Sequence, residues 1–152
     1  MASFFNSLDI SATGMRSQRV RLDVISSNIA NASTTRTAEG GPYQARTVVF
    51  EEIRPDRNFG SVLANEIFRQ GAESGGGGVR VREIVTNRAP GPLEYDPGHP
   101  DADENGFVQR SNVNMVFEMV NMISASRSYE ANVTAFNTTK SMISKTLEIS
   151  GV

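Results

Sequence analysis

Asp101-Ala102-Asp103-Glu104-Asn105-Gly106 reproduces the first half of a calcium loop, D-x-D-x-N-G, in which alternate side-chain oxygens converge on a hard cation. The twelfth position of such a loop calls for a bidentate Glu, and here it is Asn112. Pro97 and Pro100 also exclude the entering helix of an EF-hand. The stretch therefore reads as an Asx-rich turn, with Asn105-Gly106 as the tight turn before Phe107-Val108. His99 is the single histidine, so a His-pair metal site is impossible and a Ser-His-Asp arrangement would rest on it alone. It lies between Gly98 and Pro100 with no base or metal partner evident, which makes it a surface residue. Gly75 to Gly78 has the glycine content of a phosphate cradle, but no Lys-Ser/Thr follows and the next segment is strand-like; a hairpin tip or linker fits better. Glu51-Glu52 reads as a solvated strand edge rather than a catalytic dyad. Met115, Met119 and Met122 recur at helical spacing, as adaptable packing residues do, rather than as a copper or redox stripe. No catalytic constellation emerges, and neither a cofactor nor a metal is expected.

Composition narrows the partners. The 152 residues carry a net charge of −2, with 13 Arg and only two Lys (Lys140, Lys145). That balance argues against a generic nucleic-acid or anionic-membrane binder, which needs a basic face. The absence of Cys removes disulfides, thiolate catalysis and Cys-ligated zinc together. Hydrophobic residues make up 38%, enough for a small core. No window approaches 18 uninterrupted apolar residues, and the start, Met1-Ala2-Ser3-Phe4-Phe5, lacks the basic region of a secretory signal. By these signals alone the chain is expected to stay in the cytoplasm.

The elements that would position these residues are two long helices around a β-rich insert. Residues 4–31 predict a helix, with Leu8, Ala12, Met15, Arg19, Leu22, Ser26 and Ile29 at alternating spacings of four and three and Ile25 widening the stripe. Asn31-Ala32-Ser33-Thr34-Thr35 ends it. After the turn Gly40-Gly41-Pro42, Tyr43 to Ile53 predicts a strand or hairpin; residues 60–74 fit a short helix or a strand equally well. Val79 to Val85 begins with the alternation of a half-exposed strand, and residues 89–106, with four prolines, predict surface turns. Residues 112–149 predict the second helix. Its 4-3 seam runs through Met115, Met119, Met122, Ser126, Tyr129, Val133, Phe136, Lys140, Ile143 and Leu147, broadened by Val116, Val120, Ile123 and Met142. One partner helix would not cover all of it.

Asn28-Ile29-Ala30-Asn31-Ala32, following a striped N-terminal helix, resembles the N-I-A-N signature of the flagellar axial proteins, the subunits of rod, hook and hook-associated structures. Glu118 to Asn132 (EMVNMISASRSYEAN) is similar to their paired C-terminal motif. Gly41-Pro42-Tyr43 with Val48-Val49-Phe50, Tyr95-Asp96-Pro97-Gly98-His99-Pro100, and Asn105-Gly106-Phe107-Val108 resemble the proximal-rod branch of that family. The resemblance runs from about residue 8 to residue 149.

It implies an α+β fold in which long terminal helices form a coiled-coil-like domain around a small β-rich insert of hairpins and turns. The expected parts are 1–33 (N-terminal helix), 34–60 (extended or hairpin connection), 61–111 (β-rich outer domain) and 112–152 (C-terminal helix). The implied function is that of a structural subunit of the proximal rod, polymerising through its terminal helices into the shaft that carries motor torque to the hook. It further implies export by the flagellar type III apparatus without a cleaved signal and a periplasmic location, which replaces the cytoplasmic expectation. Implied partners are further copies of the chain, the rod proteins FlgB, FlgF and FlgG, the MS-ring/rod adaptor FliE and the export apparatus, with neither nucleic acid nor membrane insertion. The expected subunit interface comprises Leu8, Met15, Leu22, Ile25, Asn28, Ile29 and Asn31 from the first helix. From the second come Met115, Val116, Met119, Val120, Met122, Ile123, Tyr129, Asn132, Val133, Phe136, Ile143 and Leu147. Two other readings of the same helices are a soluble coiled-coil adaptor or chaperone binding one partner and, more distantly, a globular calcium-binding module.

Overall fold

The structure is a computed structural model and describes residues 2–53 and 77–150. In chain order it contains α1 (Ala2–Ala30), β1 (Arg46–Glu52), β2 (Val79–Thr86), β3 (Leu93–Tyr95), β4 (Phe107–Gln109) and α2 (Met115–Ser150). The α+β expectation holds: two long helices flank two small antiparallel hairpins. The ambiguous stretch 60–74, and Gly75 and Gly76, lie outside the described residues.

The helix ends follow from their side chains. At Asn31 the amide N–H still donates to the Ser27 carbonyl, 3.1 Å, and the side-chain Nδ2 donates to the same oxygen, 2.9 Å. The next bonds, Ala32 to Ile29 and Thr34 to Asn31, are tighter turns that close the helix. Asn114 caps α2, its Oδ1 accepting from the Phe117 amide at 3.1 Å, and Glu118 places a carboxylate in the first turn where the helix dipole favours it.

The β1–β2 ribbon is fixed at both ends, Asn87 N–H donating to the Ala45 carbonyl and Ile53 N–H to Gly78. Sequence reasoning expects only turns across 89–106, but Leu93–Tyr95 is a strand within it. It pairs with β4 in the register Leu93↔Gln109, Glu94↔Val108, Tyr95↔Phe107. Pro92 precedes the strand and supplies an acceptor, its carbonyl taking the Arg110 amide at 2.9 Å. Gly106 closes the hairpin at φ +80°, a conformation that favours glycine, as the Asn-Gly pair predicts.

The chain folds as two compact units. The first comprises Met1–Gln18, Phe50–Val81 and Ser128–Val152; the second comprises Arg19–Val49 and Arg82–Arg127. In the first unit the buried residues of α1 are small, namely Ser11, Gly14 and Ser17. Ser17 Oγ donates to the Val79 carbonyl (3.1 Å), and Thr13 Oγ1 accepts the Val79 amide (3.1 Å). A Cβ added at Gly14 would meet the Asn132 carboxamide at 2.9 Å, so this glycine lets the two residues approach closely. The second unit holds the apolar core: Val24, Ile25, Tyr43, Val108 and Ala125, with Asn28 and Ser111 buried among them. There Asn112 clips three strands of backbone together. Its Oδ1 accepts from Ala45 N–H, and its Nδ2 donates to the Asn87 and Ala89 carbonyls, all within 2.8 Å.

Candidate functional site: an assembly surface

Asn28, expected at a subunit interface, is buried at 1% exposure inside the second unit. It lies in the last turns of α1, where its carboxamide acts as a surrogate strand partner. Nδ2 donates to the Arg46 carbonyl (2.8 Å) while Oδ1 accepts the Arg46 amide (2.9 Å) and the Tyr43 hydroxyl (3.1 Å). One side chain thus satisfies both backbone groups of the residue that starts β1, which sets where the chain leaves the helix. Asn31 caps the helix end and receives a further bond from Thr34 Oγ1, 3.3 Å. Ile25 is likewise buried at 4%. Neither Ile25 nor Asn28 presents itself to solvent.

The remaining stripe of α1 is not the face that the fold covers. Leu8, Met15, Leu22 and Ile29 are half-buried, and Ala12, Arg19 and Ser26 between them are exposed. At about 100° per residue the buried row Ser11, Gly14, Ser17, Val24, Ile25 and Asn28 lies roughly 130° around the helix from that stripe.

On α2 the covered residues are Glu118, Asn121, Met122, Ala125, Ser126, Ser128, Asn132, Val133, Phe136, Thr139 and Ile143, of which Ala125 alone is wholly inaccessible. The expected seam follows one flank of this row, so Met122, Val133, Phe136 and Ile143 are half-buried while Met115, Met119, Tyr129 and Leu147 are exposed. On the opposite side Val116, Val120 and Ile123 are exposed at 71%, 60% and 56%. Phe117, absent from the expected set, is exposed at 70% beside them. Beyond residue 123 the same side of the helix carries Arg127, Glu130, Thr134, Ser141 and Lys145. The densest open apolar surface of α2 therefore lies in its first turns, with Met142, Leu147 and Ile149 exposed singly towards its end.

A second open apolar surface was not anticipated. Leu93, Tyr95 and Phe107 share one face of the β3–β4 hairpin, since Tyr95 opposes Phe107 and Leu93 opposes Gln109. The Tyr95 and Phe107 rings meet edge to face at 5.2 Å, and Leu93 and Tyr95 remain about two-thirds exposed. The inward residue, Val108, is exposed at only 1%. The Leu-x-Tyr alternation followed by Asn-Gly-Phe-Val carried that signal in the sequence.

The acidic turn is occupied by its own backbone. Asp103 Oδ1 accepts from Asn105 and Phe107 N–H, Asp96 Oδ1 from Gly98, and Asp101 Oδ2 from Thr35 Oγ1 with Arg36 3.5 Å away. His99 Nδ1 accepts the Asp101 amide, 3.1 Å. Among the described residues no three His, Asp or Glu side chains converge as metal ligands, and no helix is long and apolar enough to cross a membrane.

Comparison with known proteins agrees with this architecture of two helices and an insert. Residues 8–36 match the family model for flagella basal body rod proteins. Residues 104–149 match that for the C-terminal part of flagellar basal body rod FlgEFG proteins. Among curated relatives, the flagellar basal-body rod protein FlgC of Borreliella burgdorferi is 44% identical over 149 residues, covering 95% of this chain and 96% of that protein. FlgC of Bacillus subtilis is also 44% identical over 149 residues, covering 95% and 97%. FlgC of Salmonella typhimurium is 40% identical over 148 residues, covering 97% and 98%.

Proposed function

The chain belongs to the FlgC family of flagellar basal-body rod proteins and is a structural rod subunit, and from this premise we propose that it polymerises through surfaces its own fold leaves open. In this reading residues 1–33 and 112–152 supply the helical core of the proximal rod, 34–60 connect it, and 61–111 form an outer part. The assembled helices then act as a shaft carrying torque to the hook. The chain performs no reaction. Its partners are further copies of itself, FlgB, FlgF, FlgG and the adaptor FliE, reached after export through the type III apparatus without a cleaved signal, in the periplasm. The absence of Cys suits passage into an oxidising compartment.

The carrying observation is the exposed row Val116, Phe117, Val120 and Ile123 at the start of α2. Burying one such side chain contributes about 1.5–3 kcal/mol, so four could supply roughly 6–12 kcal/mol. Loss of translational and rotational freedom on association opposes this with about 4–15 kcal/mol. One such patch therefore gives marginal association, and a stable polymer needs several surfaces acting together. That arithmetic suits a subunit that is monomeric until nucleated. No observation on the chain favours the single-partner adaptor.

The test is a variant carrying Val116→Ser, Phe117→Ser, Val120→Ser and Ile123→Ser. The purified protein should keep its helical circular dichroism, while cells that depend on it should lack a complete rod and fail to swim. Normal swimming with normal rods would overturn the reading.

A further inference from the structure

Asn105-Gly106 is the single Asn-Gly pair in the chain, and Asp-Gly does not occur. In such a pair the main chain can attack the side chain, because a glycine has no Cβ to screen its own amide nitrogen. Asn105 is exposed, so water and hydroxide reach it. Whether it reacts is decided by the nitrogen of Gly106, and the fold commits that atom elsewhere. Its N–H donates to the Asp103 carbonyl at 3.0 Å, while the Gly106 carbonyl accepts from Asp96 N–H at 2.9 Å. The neighbouring amides of Asn105 and Phe107 donate to Asp103 Oδ1 at 2.9 and 2.8 Å. Three consecutive N–H groups thus converge on one aspartate. Gly106 is also buried, at φ +80°, where an added Cβ would meet the Tyr95 ring at 3.0 Å. The peptide between Asn105 and Gly106 cannot swing toward the Asn105 side chain without breaking this set.

We propose that Asn105 is a latent deamidation site, kept as the amide by the folded Asp103 turn and converted when the β3–β4 hairpin opens. In the open chain the Gly106 amide gives its proton to hydroxide and its nitrogen bonds to Asn105 Cγ. The bond from Cγ to Nδ2 breaks, and Nδ2 leaves as ammonia after taking up a proton. One water then opens the resulting succinimide at either carbonyl, to aspartate or to isoaspartate, with no change of oxidation state. Asp103 is the protecting residue in two ways. Its carbonyl and Oδ1 hold the three amides, and its negative charge opposes formation of an amide anion beside it. The isoaspartyl product lengthens the main chain by one carbon between Asp103 and Phe107, so the amides on either side no longer reach Asp103 Oδ1 together. The modification therefore records time spent unfolded. A chain that folds promptly keeps its amide, and one that lingers open loses it and closes the turn poorly afterwards.

The tryptic fragment 89–110 contains Asn105 as its only asparagine, which makes the reaction countable. The purified chain is incubated in mildly alkaline buffer with and without denaturing urea. Conversion is followed by the mass of that fragment and by isoaspartyl methyltransferase labelling. Conversion in urea should be faster than in the folded chain by roughly tenfold or more, since the folded chain reacts only through local opening. Folded Asp103→Ala should convert several-fold faster than the folded parent, and the two should converge in urea. Equal rates for the parent with and without urea overturn the proposal, as does an absence of conversion in urea. A folded Asp103→Ala chain that converts no faster than the parent overturns it too. Should that variant fail to fold by circular dichroism, the parent's own two rates still decide.

Discussion

The Ser11–Ser17 face of α1 and the Val116–Ile123 face of α2 distribute their side chains in opposite ways. The first is covered by its own chain and is built from serine and glycine, with bonds to the Val79 backbone in place of apolar bulk. The second is built from valine, phenylalanine and isoleucine and is open. In a self-sufficient globule the large apolar side chains would lie inside. On these two faces the covered contacts are polar and close while the large apolar side chains lie outside, which is the arrangement the proposed assembly calls for.

The largest effect on the isolated chain should come from the covered side of this contrast. Asn28→Ala leaves the Arg46 N–H and C=O without their partner and the Tyr43 hydroxyl with Ser27 Oγ at 3.3 Å, which costs about 3 kcal/mol. The thermal midpoint should fall by roughly 6–12 °C, and a shift under two degrees would mean that water replaces the carboxamide. Gly14→Val pushes into the Asn132 side chain and should cost about 2 kcal/mol, read as a lower urea midpoint at unchanged slope. Asn31→Ala removes one cap bond, about 1 kcal/mol, and should weaken motility more than export. On the open side, Phe117→Ser should move the isolated chain's stability by less than about 0.5 kcal/mol yet reduce incorporation into rods. A stability loss as large as that of Asn28→Ala would erase the contrast.

Much of the fold is legible in the sequence for a physical reason. The 4-3 spacings and the absence of proline specify α1 and α2, and Asn105-Gly106 specifies its turn, because those signals are local. The strand Leu93–Tyr95 is less legible: three residues among prolines give period-two alternation too little length. The covered face of α1 escapes because hydrophobic periodicity finds the face with the largest apolar side chains, which coincides with the interior only when one chain supplies both sides. Asn28 marks itself by its motif, but its partner at Arg46 is fixed by tertiary folding and leaves no spacing to read. For the same reason Phe117, one position off the seam, enters only once exposure is known.

The claim that the first turns of α2 await a neighbour is tested most directly by hydroxyl-radical footprinting, since Met115, Phe117 and Met119 there are readily oxidised and exposed. Oxidation of these three side chains should be rapid in the purified monomer and strongly suppressed in isolated basal bodies, while buried Tyr43 stays protected in both. Equal oxidation of Met115, Phe117 and Met119 in monomer and basal body would contradict the account.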